Sequence, residues 1–113
     1  MTTDQLPALN RSAALERMGG DEEIYQEVWE VFSDDVPTQL EELKRLLQAN
    51  ERQTAERIAH SLKSAAGNVG AEQMSRTAAE LEKRMSSAPN EDLNGLFDSL
   101  KQKFEEVLRL GTC

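Results

Sequence analysis

The chain has 113 residues, of which 38% are hydrophobic, 30% charged and 4% aromatic, and its formal net charge is −8. That length holds one domain around one core, and the balance is that of an ordinary soluble chain rather than a disordered one. An acidic chain poor in aromatics lacks the cationic footprint and the stacking platform that nucleic acid requires, and it is ill suited to an anionic membrane surface.

In chain order, Met1 to Leu9 carry weak signals, with Pro7 among them. Asn10 can cap a short helix through Met18, with Leu15 and Met18 apolar and Gly19-Gly20 ending it. The spacing predicts a lid on the end of a bundle. Asp21 can cap the next helix, and Glu22 and Glu23 stand in its first turn, where the helix dipole favours anions. Its apolar stripe is Ile24, Val28, Val31, Phe32, Val36, Leu40, Leu43 and Leu47. The stripe keeps its phase through Pro37, so one kinked, nearly continuous helix to Gln48 is preferred over two abutting helices. Tyr25, Trp29 and Phe32 read as core and its edges, with Trp29 off the centre of the stripe and partly exposed.

Asn50 is the expected cap of a third helix that ends near Asn68, with Gly70 breaking it and Ala71 opening the next. That next helix shows Met74, Ala78, Leu81 and Met85 at core spacing, where methionine fills space rather than binding metal. Ser86 to Asn90 form a loop, and Asn90 is the expected cap of the last helix. Its stripe is Leu93, Leu96, Phe97, Leu100, Phe104, Val107 and Leu108; Gly95 weakens it and Gly111 stops it. No strand pattern or repeat occurs. The expected fold is all-α: an antiparallel up-down four-helix bundle with a short extra N-terminal helix. A single domain spans 1–113, with its core at about 21–110 and the lid in 1–20.

The only cysteine, Cys113, is the last residue, so no internal disulfide is possible and a frayed terminal thiol is expected. Neither an apolar signal core nor a membrane-length run occurs, which implies a soluble cytoplasmic protein. Met1 at the start suggests a free protein rather than an excised domain.

His60 is the only histidine. At about 100° per residue, Ala55, Ile58, Ala59, Leu62, Ala65, Ala66 and Val69 fall on one side of its helix and His60 nearly opposite. Lys63, Ser64 and Gly67 follow at i+3, i+4 and i+7 and flank it on the exposed face. A core role fails on that geometry. A metal role fails because no second histidine or cysteine is at hand, and carboxylates alone make a poor site. A catalytic triad fails because Ser64 has no glycine-rich oxyanion turn beside it. An ordinary surface histidine is the remaining alternative.

His60-Ser61-Leu62-Lys63-Ser64, followed by Gly70-Ala71, resembles the signature of histidine phosphotransfer (HPt) domains, and the resemblance runs from about Asp21 to Leu108. The family more often has glycine where Ser64 stands, a change that keeps the side chain small. The resemblance implies a phosphorelay intermediate. His60 would accept a phosphoryl group from a receiver-domain aspartate and pass it to a response-regulator aspartate. The implied partners are response-regulator receiver domains and a hybrid sensor histidine kinase, with the chain a monomer and magnesium on the receiver. With no glycine-rich ATP loop and no room for a kinase domain, the chain would carry phosphate without any cofactor and without phosphorylating itself.

In such a site one ring nitrogen attacks phosphorus and the other donates to a fixed acceptor, which selects the tautomer. Glu80, Glu82 and Lys83 on the next helix lie at about the right height, and only the acids can accept. Glu82 corresponds best to the family's polar orienting position; otherwise it is a solvated surface acid. Lys63 can neutralise the phosphoryl group, contributing ~1 kcal/mol or less at an exposed site. Ser64 and Gly67 fit close docking of a partner, although Gly67 equally fits a softened helix end. The competing function is a phosphate-independent helical adaptor; a small hydrolase comes third.

Overall fold

The computed structural model describes residues 6–111, so Cys113 lies outside the described residues. The Asn10 side chain accepts a hydrogen bond from the Ala13 amide at 3.2 Å and opens α1 (Arg11–Arg17). Asp21 caps α2 (Glu22–Gln48) through bonds from the Glu23 and Ile24 amides. Then come α3 (Arg52–Val69), α4 (Glu72–Arg84) and α5 (Asn90–Gly111). In the bundle α2 packs on α3, α3 on α4, α4 on α5 and α5 on α2, while the two diagonal pairs stay apart. The described residues contain no strand.

One continuous helix runs through Pro37. Proline leaves the Ser33 carbonyl without its amide partner, and in the same turn the Ser33 hydroxyl donates back to the Trp29 carbonyl at 2.9 Å. The buried path along α2 is Tyr25, Trp29, Phe32, Val36, Leu40, Leu43, Leu46 and Leu47. This corrects the sequence reading at the N-terminal half. Trp29 sits in the core at 7% exposure, whereas Ile24 and Val31 face outwards at 44% and 58%. The large aromatics bury more surface than the β-branched residues beside them, so they take the inward positions. Tyr25 satisfies its hydroxyl by donating to the Val69 carbonyl at 2.9 Å.

Two caps also differ from expectation. Asn50 does not open α3. It adopts φ 58° and ends α2, where the Asn50 amide donates to Leu47 and the Glu51 amide to Leu46, the paired bonds of a Schellman turn. Asparagine tolerates the left-handed region, and that use wins here over N-capping. Asn90 lies within α5, and its side-chain oxygen receives Arg52 at 2.7 Å. The stripes expected for α3, α4 and α5 are buried in one continuous core, with Ile58, Ala65, Leu96 and Leu108 at its margin.

α3 ends at Val69, and Gly70 turns the chain into α4 with φ 86°. A Cβ at Gly70 would overlap the Asn10 carbonyl, because the Asn10 amide donates to the Gly70 carbonyl at 2.7 Å. Residues 6–17 thus strap this hairpin. The Gln73 side chain donates to the Leu6 carbonyl at 2.6 Å, and Arg17 donates to the Gly67 carbonyl at 2.8 Å.

Candidate functional site

The close α3–α4 hairpin builds the site. Alanines at 55, 59 and 66 on α3, at 71 where α4 is capped and at 78 on α4 are fully buried, so the two backbones approach closely. The Ser75 hydroxyl adds a bond to the Lys63 carbonyl at 3.0 Å. This proximity brings α4 side chains within reach of the outer face of α3.

His60 projects from that face with its side chain 58% exposed. Its Nδ1 lies 2.9 Å from Glu82 Oε2. The other carboxylate oxygen of Glu82 lies 3.3 Å from Lys63 Nζ. A carboxylate only accepts hydrogen bonds, so Nδ1 donates to Glu82, and in the neutral ring Nε2 keeps its lone pair. Nε2 makes no hydrogen bond among the described residues. Burial pushes the Glu82 carboxyl up, but hydrogen bonds from His60 and Lys63, with their charges, together outweigh it and hold the group below the ordinary carboxylate range. The stabilisation from that lowered value is therefore present at neutral pH and is lost as pH falls through it.

Of the two acids at the right height, it is Glu82 that reaches the ring; Glu80 is exposed. The sharing of Glu82 between ring and ammonium is a feature the sequence reading missed. Periodicity placed His60 and Lys63 on one face, and the second bond follows once Glu82 is fixed opposite them.

Ser64 is exposed, but Gly67 is half-buried. Arg17 covers the Gly67 carbonyl, and Ser75 Oγ stands 3.7 Å from where a Cβ would be. Both residues line a groove of about 640 Å³ with Arg17, Lys63 and Arg76. A second groove, about 500 Å³, holds His60, Arg57, Ser61 and Glu82. A third, about 440 Å³ and mainly apolar, runs between α2 and α3 past Val28, Val31, Phe32, Val36 and Ala65. Gln39 also lines it, with a buried oxygen that has no hydrogen-bond partner among the described residues.

Among the described residues no cluster of three metal-ligating side chains occurs. Nor is any helix among them long and apolar enough to cross a membrane. The arrangement offers a nucleophilic nitrogen in water, a fixed acceptor behind the ring and cations one turn to either side. A family model, that of the Hpt domain, matches residues 27–109. No curated protein and no solved structure matches the chain.

Proposed function

The chain belongs to the Hpt domain family, a family of phosphorelay carriers in two-component signalling, and from that premise we propose that His60 is its phosphoacceptor. The observation that carries this reading is the exposed imidazole held through Nδ1 at 2.9 Å by Glu82. Nε2 attacks the phosphorus of a receiver's aspartyl phosphate. The N–P bond forms as the acyl-phosphate P–O bond breaks, and the electron pair leaves with the receiver's carboxylate. The Nδ1 proton stays on the ring, and Glu82 balances the positive charge that develops there. Transfer to the next receiver aspartate runs the same step in reverse. Lys63, paired with Glu82 on the same face, adds positive charge beside the phosphoryl group.

Incubation with a panel of phosphorylated receivers tests the reading. Label should move to this chain and onward to a second receiver; no transfer from any of them would favour the helical adaptor instead. Glu82→Ala should slow transfer about tenfold, the lower range for losing a group that orients a reactive histidine. Thermal stability should stay within about 0.5 kcal/mol, as for a surface change. Unchanged rates in that variant would remove Glu82 from the mechanism.

We place the docking face around Ser64 and Gly67, with contact area from the apolar α2–α3 groove beside exposed Val31. A small interface of that kind suits a transient encounter. Ser64→Tyr should cut receiver-driven transfer at least tenfold, the loss of a well-packed contact worth about 1.4 kcal/mol, while a small phosphodonor still labels His60. Gly67→Leu would also crowd Ser75 and displace Arg17, so position 64 gives the cleaner test. Normal receiver-driven rates in Ser64→Tyr would put the docking face elsewhere.

A further inference from the structure

Three basic side chains project from α3, against one acid, Glu56. Two of them are committed within the fold. Arg52 donates to the Met85 carbonyl at 2.9 Å and to Asn90 at 2.7 Å, tying α3 to the α4–α5 loop. Lys63 is paired with Glu82 at 3.3 Å. Arg57 is exposed and makes no hydrogen bond, ion pair or ring contact among the described residues. It stands one turn before His60, a spacing that brings Cβ atoms to about 5–6 Å. It also lines the same groove as His60, Ser61 and Glu82.

We propose that Arg57 is the residue of this chain that binds the phosphoryl oxygens as they meet His60 Nε2, an inference that rests on His60 being the phosphoacceptor. A guanidinium is a planar fork of donors matched to phosphoryl oxygens and keeps its charge at any working pH. Arg57 breaks no existing pair to serve, whereas Lys63 serves at the expense of the bond that steadies Glu82. The need for a cation is real, since the chain carries a net charge of −8 and α2 alone holds eight acidic side chains against two basic ones. The acids facing the groove are Glu56, beside Arg57, and Glu82, which already receives His60 and Lys63. During the step the N–P bond forms at Nε2 and the bond from phosphorus to the leaving group breaks. The electron pair departs with that group, and Arg57 makes and releases hydrogen bonds only.

The test uses phosphoramidate, a phosphodonor whose leaving group is ammonia and which presents no protein surface. Arg57→Ala and Arg57→Lys should melt as the wild type does, because the side chain holds nothing in the fold. Arg57→Ala should lower the rate of His60 labelling by phosphoramidate about tenfold, the loss of one exposed charge-assisted contact. Arg57→Lys should recover part of that loss, and receiver-driven transfer should fall by the same factor. Equal phosphoramidate rates in Arg57→Ala and wild type would overturn the proposal. A fall confined to receiver-driven transfer would also overturn it, since Arg57 would then touch the partner's surface instead. Wild-type chain labelled by phosphoramidate but by no phosphorylated receiver would count against the phosphorelay reading, while the Arg57→Ala ratio still decides Arg57. Wild-type chain that takes no label from either donor would overturn both.

Discussion

His60→Gln is expected to abolish acid-labile phosphoryl label altogether, whether the donor is a phosphorylated receiver or phosphoramidate. The loss should be complete rather than graded because the chain has no second imidazole. Glutamine keeps a polar side chain on the face but has no ring nitrogen with a lone pair to attack phosphorus. The fold should survive. The His60 side chain is 58% exposed, and Glu82 keeps Lys63 as a partner. Stability should shift by no more than about 0.5 kcal/mol. Acid-labile label persisting on the variant would remove His60 from the role assigned to it.

The second large effect is on stability. Gly70→Val should destabilise the domain by about 3 kcal/mol, combining a β-branched residue at positive φ with a clash against backbone. That corresponds to a fall of roughly 10 °C in melting temperature for a domain of this size. The position has φ 86°, and a Cβ there would overlap the carbonyl of Asn10. Relief requires the 6–17 strap to lift or the α3–α4 turn to open. Either movement loosens the hairpin that brings Glu82 to His60, so phosphoryl transfer should fall along with stability. Gly95→Val is a fitting control, since a Cβ at Gly95 meets open space. A Gly70→Val variant melting with the wild type would show that the strap does not lock this turn.

Much of this site was legible in the sequence, because the angular step of a helix fixes which side chains share a face. His60, Lys63 and Ser64 needed no more than that. Glu82 needed more: pitch alone admits Glu80 as well, and the choice came from resemblance to a family position. Closeness of α3 to α4, set by buried alanines, is what makes the 2.9 Å contact. The misreadings have physical causes too. Asn50 lies between two helices, and asparagine serves equally well as a helix opener and as a left-handed terminator; only the bonds to Leu46 and Leu47 decide. On α2 the aliphatic and aromatic residues trace two overlapping stripes, and the choice between them depends on what α5 offers opposite. There Phe32 meets Phe104 edge-on at 5.5 Å. Arg57 and Arg17 went unremarked because a lone surface arginine carries no periodic signal.

Trp29 gives the domain a built-in reporter. It is the only tryptophan, is buried, and stacks at a tilt on Phe32 with ring centroids 5.5 Å apart. Gly111 passes so close to its indole that no side chain would fit there. The pocket beside it is lined by Leu9, Arg11, Tyr25, Gln26, Leu110 and Gly111, none of which belongs to the histidine face. Its emission therefore follows closure of the last helix onto the first long one and stays silent to phosphorylation. Fluorescence can count folded molecules in the same cuvette in which phosphoryl transfer is timed, so slow chemistry and lost protein can be told apart without an added dye.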